Sequence, residues 1–155
     1  MTTIRRLNIY VASSWRNELQ DDVVEILAAC GHDVYDFKHP PGGAGFSWAH
    51  IDTDWQKWTT QQFKDALDHE QAEKGFNQDL GGMMRADICV LVLPCGRSAH
   101  LEAGWFVGRG VPVFAYLPEE QEPELMYRFF GGRIADSTVQ LVNQITNYAS
   151  KCSAF

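Results

Sequence analysis

The 155-residue chain is short of basic side chains, of prolines and of long apolar runs, and its cysteines keep apart. Lys and Arg number 13 against 20 Asp and Glu, for a formal net charge of −7, and the basic residues do not cluster. That argues against a nucleic-acid surface and leaves room for a small anionic ligand. The longest apolar run, Ile88 to Leu93, falls far short of the ~20 residues that cross a bilayer. Met1 to Arg6 leads straight into a strand with no secretory leader, so a cytoplasmic protein that meets no membrane is expected. Cys30, Cys89, Cys95 and Cys152 form no Cys-x-x-Cys and no metal-type pairing, which reads as reduced structural thiols. Cys89 falls in the core, and Cys95 is the one thiol in a candidate site loop. What is present is ordinary for a globular protein, with 45% hydrophobic and 21% charged residues. The length suits a single domain over residues 1–155 that buries roughly two thirds of its unfolded surface.

Taken in order, Leu7 to Ala12 reads as a strand, and Ser13 to Asn17 as the loop behind it. A helix from Glu18 to Cys30 carries Leu19, Val23, Ile26 and Leu27 at helical spacing and stops at Gly31. A second strand spans His32 to Phe37, making a β-α-β unit with parallel strands. Two prolines and three glycines between Lys38 and Trp48 demand a loop, and its Phe46 and Trp48 either cover an aromatic ligand or pack the loop down. Asp54 to Leu67 reads as one helix with Trp55, Trp58, Phe63 and Leu67 on a shared face, suited to core or subunit interface. Another helix covers Ala72 to Ala86. Ile88 to Leu93 is apolar throughout and ends at Pro94, the pattern of a strand buried on both faces. A helix bearing Glu102 in its first turn or so follows the Cys95 to Ser98 turn. Val111 to Leu117 is the fourth strand, Pro123 to Phe130 a short helix, Gly131-Gly132 a break, Arg133 to Ala135 a fifth strand and Ser137 to Ser150 the last helix. Alternating strands and helices imply an α/β fold, a flavodoxin-like (Rossmann-type) five-stranded parallel sheet of order 2-1-3-4-5 with helices on both faces. Its switch point brings Ser13 to Asn17 beside Cys95 to Glu102.

Several residues there could do chemistry. Gly96, Arg97 and Ser98 precede a helix N-terminus, with Ser98 as the expected N-cap, and make a modest site for an anion or a sugar hydroxyl. The same residues serve equally as a plain cap. Neither GxGxxG nor a P-loop is present, which excludes conventional dinucleotide and triphosphate sites. Glu102 lies among Ala99, Leu101, Ala103 and Gly104, a small-residue setting behind the most buried strand. It is either decoration of a helix N-terminus or a nucleophile or acid/base group. Asp79 is a second carboxylate, and two carboxylates in one cleft are what glycosidic chemistry requires. Asp87 is read as structural, closing the helix before the third strand.

These segments resemble the nucleoside 2-deoxyribosyltransferase family and its nucleotide N-glycosidase relatives. The likeness runs through Ile9 to Trp15, through Gln78-Asp79-Leu80 with Arg85-Ala86-Asp87, through Ser98 to Gly104, and through Gly110 to Val113. It implies Glu102 as the nucleophile on the anomeric carbon, Tyr10 positioning that carboxylate, and Asp79 binding sugar or base. Ser98 and the helix amides at Gly96 and Arg97 would hold the sugar 5′ end or a 5′-phosphate. Ser13 and Ser14 would line the substrate site, and Trp15 would contact the base. The resemblance implies no metal and no organic cofactor, a nucleoside or nucleotide substrate, and a homodimer or larger homo-oligomer. Gly96 stands where the transferases carry an acidic residue, and Glu124 where the family contributes an amide, so hydrolysis stands beside transfer. Two further readings are a non-catalytic sensor of a nucleotide or ADP-ribose-like ligand, and a TIR-like enzyme that cleaves NAD.

Overall fold

A computed structural model describes residues 4–152. These fall into two compact units, residues 4–35 with 85–152, and residues 36–84.

The first unit holds the sheet. Its strands are β1 (Asn8–Ala12), β2 (Asp33–Asp36), β3 (Ile88–Val92), β4 (Val113–Tyr116) and β5 (Ile134–Ala135). They lie in the order β2-β1-β3-β4-β5, the flavodoxin-like parallel arrangement that the strand and helix pattern predicts. The unit's helices are α1 (Leu19–Ala29), α4 (Arg97–Gly108) and α5 (Thr138–Cys152), and α2 and α3 belong to the second unit. α1 ends at Gly31, whose φ of 90° suits a residue without Cβ. The amides of Gly31 and His32 close the last turn on Ala28 O and Leu27 O. Gly131 and Gly132, at φ of 59° and 81°, make the break before β5.

Strand alternation sorts the sheet into two faces. Ile9 and Val11 of β1, Ile88, Val90 and Val92 of β3, and Phe114 and Tyr116 of β4 share one cluster with Val23 and Leu27 of α1 and Leu141, Ile145 and Ala149 of α5. The alternate residues Tyr10, Cys89 and Leu91 therefore face the other way, and α4 covers them through its buried Ala99, Ala103 and Phe106. Helices thus lie on both faces. β3 is buried at every residue, as its unbroken apolar run predicts. Asp87 ties the strand starts together: its carboxylate accepts from the Asn8 amide (2.8 Å) and from Arg5 (3.0 Å).

In the second unit, α2 spans Thr60–Leu67 and α3 spans Glu70–Arg85. The continuous helix predicted from Asp54 is interrupted. A 3₁₀ turn covers Trp55–Lys57, Trp58 is extended (ψ 138°), and α2 starts afresh behind Thr59. The cause is a capping box: Thr59 Oγ1 accepts from the Gln62 amide (3.2 Å), and the Thr59 amide donates to Gln62 Oε1 (2.8 Å). The four hydrophobic residues therefore do not share one helical face. Trp58 and Phe63 instead turn their edges or faces to Trp48, at ring-centroid distances of 5.6 and 5.8 Å, and Phe46 meets Trp48 at 4.8 Å. Trp58 Nε1 donates to Asp52 (2.7 Å). Phe46 and Trp48 thus pack the loop down within this unit, and Gly75 of α3 leaves the space that Phe46 fills.

Candidate active site

The site builds from the end of β3. The chain leaves the strand at Leu93, turns through Pro94, Cys95 and Gly96, and enters α4 at Arg97. Gly96, not Ser98, is the N-cap, with extended backbone and no side-chain cap. Ser98 is already the second residue of the helix. His100 explains the earlier start. Both its backbone amide (3.4 Å) and its ring Nδ1 (2.8 Å) lie on Gly96 O, fixing that carbonyl as the first acceptor of the helix. With Nδ1 donating, Nε2 accepts the hydroxyl of Tyr127 at 2.9 Å. The Cys95 sulfur lies 3.6 Å from the same Nδ1.

Glu102 is half-buried in the second turn of α4, one turn before Phe106 and one after Ala99, both buried. Phe106 packs on Tyr10 at a centroid distance of 5.6 Å. Tyr10 is fully buried, stacks on Tyr35 at 5.3 Å and stands opposite Cys89 in the β1–β3 register. The charge of Glu102 reaches this layer. Burial pushes the Cys89 thiol well up, and Glu102 adds to it. The Cys95 thiol rises to about 12 by burial first and the same carboxylate second.

The β1 loop closes against β3. Ser13 Oγ donates to Val92 O at 2.8 Å. Asn17, buried, donates from Nδ2 to Val92 O (3.3 Å) and Pro94 O (3.0 Å), and its Oδ1 accepts the Leu19 amide (2.9 Å) at the start of α1. Ser14 Oγ accepts the Arg16 amide at 3.3 Å. Between the starts of α1 and α4 lies a cleft of about 470 Å³ whose lining includes Ser14, Arg16, Asn17, Cys95 and Gly96. Of the predicted binding residues it joins Ser14 and Gly96. Trp15, Arg97 and Ser98 are exposed and lie outside the lining, whose charged residues are Arg16, Glu18 and Glu119. Asp79 is half-buried on α3 and belongs to the second unit.

Asn17, His100 and Tyr127 escaped the sequence reading. Asn17 two residues before a helix is a legible capping signal. His100 and Tyr127 are separated by 27 residues and give no local one. Among the described residues, no group of three or more His, Cys, Asp or Glu side chains is placed to hold a metal ion. No helix among them is long and apolar enough to cross a membrane.

No family model and no curated protein matches this chain. Among solved structures, the 2-deoxyribosyltransferase of the psychrotolerant bacterium Bacillus psychrosaccharolyticus is similar at 21% identity, over 76% of this chain and 77% of that one, with a TM-score of 0.49.

Proposed function

We propose that the chain cleaves or transfers at the N-glycosidic bond of a nucleoside or nucleoside monophosphate, with Glu102 as nucleophile. The observation that supports this most directly is the setting of that carboxylate. It is half-buried behind the central strand, one turn from the residue that packs on Tyr10, and its charge reaches Cys89 and Cys95. In the proposed reaction a Glu102 oxygen bonds to the anomeric carbon as the bond to the base nitrogen breaks. The departing base takes up a proton from solvent water, and the attacking water or base returns one to solvent in the second step. Water, or the nitrogen of a second base, then attacks the same carbon and frees the carboxylate.

Tyr10 positions that carboxylate. Ser13, Ser14 and the amides at Gly96, Arg97 and Ser98 hold the 5′ end of the sugar or its phosphate, and Trp15 touches the base. The role of Asp79, a sugar or base contact, rests on its motif. The mechanism so written draws on side chains and backbone amides and calls on no metal or organic cofactor, in a single-domain protein working in the cytoplasm as a homodimer or larger homo-oligomer.

The test is base release, followed chromatographically, from a panel of deoxynucleosides, ribonucleosides and nucleoside monophosphates. Glu102→Ala and Glu102→Gln are each expected to lower the rate by about 10³-fold or more. An unchanged rate in either variant refutes the assignment. Binding without turnover in the wild type makes the protein a sensor, and release of nicotinamide from NAD makes it a TIR-like enzyme.

A further inference from the structure

The turn between β3 and α4 is held by its carbonyls. Val92 O and Pro94 O accept from Asn17 Nδ2 at 3.3 and 3.0 Å, and Gly96 O accepts from His100 Nδ1 at 2.8 Å. Every second carbonyl from the end of the strand to the start of the helix is thus tied to a side chain. The ties come from different directions. Asn17 belongs to the β1 loop and lines the cleft of about 470 Å³ together with Gly96, so a ligand there can touch it. His100 lies outside that lining and faces Tyr127 instead.

His100 is itself oriented. A carbonyl only accepts, so Nδ1 carries the ring proton and Nε2 takes the Tyr127 hydroxyl at 2.9 Å. The two rings lie nearly parallel, at 13°. Tyr127 stands in the 3₁₀ segment Leu125–Phe130. Glu124 caps one end of that segment by accepting the Met126 amide (3.3 Å), and Gly131 closes the other at a φ of 59°. The position of Gly96 O is therefore set by a segment that lies beyond β4 in the chain.

Glu102 does not depend on this tie. It lies in the second turn of α4, where Ala99, Ala103 and Phe106 are buried. Loss of the His100 ring frees the Gly96 carbonyl and loosens the first turn, and leaves the packed turn behind it in place.

We infer that His100 is a positioning residue: through Gly96 O it fixes the turn whose amides receive the substrate, and Tyr127 fixes His100. This rests on the reading that the amides at Gly96, Arg97 and Ser98 hold the 5′ end of the sugar or its phosphate. A residue in this role acts on substrate affinity and hardly on the chemical step.

The test compares His100→Ala, His100→Asn and Tyr127→Phe with the wild type. Base release is measured on the fastest substrate of the panel, and hydrogen exchange of the amide at position 100 is followed by NMR. Asn carries its amide nitrogen where imidazole has Nδ1, so it restores the tie to Gly96 O. His100→Ala is expected to raise KM about fivefold or more, to change kcat less than about threefold, and to lower the protection of that amide about fivefold or more. His100→Asn is expected to recover most of both losses, against helix propensity, which by itself favours Ala. Tyr127→Phe is expected to give a smaller rise in KM and, in imidazole nitrogen NMR spectra, to lose the pure Nδ1–H signature of the wild type. An unchanged KM in His100→Ala, a loss in kcat that matches the rise in KM, an Asn variant no better than the Ala variant, or a wild-type Nδ1 without its proton overturns the inference. A wild type that releases no base overturns the proposed activity instead, and amide protection and the nitrogen spectra then decide the hold of His100 on the turn by the same criteria.

Discussion

Cys95 offers a chemical gauge of where the Glu102 carboxylate sits. Its thiol is raised from the ordinary 9.0 to about 12, by burial first and by the charge of Glu102 second. The thiolate is the species that alkylates. A rise of about three units leaves roughly a thousandfold less thiolate than an unperturbed cysteine has at any pH below its own value. Iodoacetamide is therefore expected to label Cys95 about a thousandfold more slowly than an unperturbed thiol. Glu102→Gln removes the charge and keeps the volume, so the burial contribution stays. Burial is the larger of the two causes, which leaves the charge less than half of the shift. Labelling should then accelerate in the variant, by at most about thirtyfold. The assay follows the peptide bearing Cys95 by mass spectrometry after timed labelling of the folded protein, with exposed Cys30 as reference for the reagent. Equal rates in the two proteins would mean that the carboxylate does not face this turn. Rapid labelling in the wild type would mean that the turn is not buried. Either result removes the geometric basis for placing the nucleophile here.

Two further outcomes concern stability. His32 is buried, accepts the Leu7 amide at Nδ1 (3.2 Å), and burial lowers its pKa from 6.5. The unfolded chain takes up that proton at higher pH than the folded one, so the contribution is full above pH 6.5 and shrinks as pH falls below it. Melting curves at neutral and mildly acidic pH should show a smaller acid-induced drop for His32→Gln than for the wild type; an equal drop refutes the assignment to His32. Glycine-to-alanine changes at two helical positions should have opposite signs. Ala at Gly75 would place its Cβ 2.7 Å from the Phe46 Cβ and cost about 1–3 kcal/mol by overpacking. Ala at Gly104 meets nothing within 4 Å and should gain up to about 1 kcal/mol. Thermal or urea melts of both variants decide the point.

The sheet was legible because its cues are local. The apolar run from Ile88, the alternation of Ile9 and Val11 with Tyr10, and Gly31 behind α1 each carry their structural meaning within a few residues. The break before α2 was equally local and was obscured by a competing cue. Trp55, Trp58, Phe63 and Leu67 suggest one continuous helix, while Thr59 and Gln62 close a capping box that starts a new one, and the box prevails. Ser98 was misplaced by two residues because His100, inside the helix, chooses Gly96 O as its acceptor. Around Glu102, the helix and its position behind β3 were readable from spacing. That its charge acts on Cys89 and Cys95 required the strand register and the turn, which no window of sequence contains. The bond from His100 to Tyr127 is a tertiary contact of the same kind.

The two-sidedness of β1 links packing to chemistry in a way that constrains how the gene can change. Ile9 and Val11 face the aliphatic layer under α1 and α5, while Tyr10, between them, faces α4 and lies opposite Cys89. One inserted or deleted codon within this strand would exchange the two sets, sending the phenol into the aliphatic layer and a branched alkyl group against α4. Length is therefore frozen in β1, and drift there is confined to substitutions that respect parity.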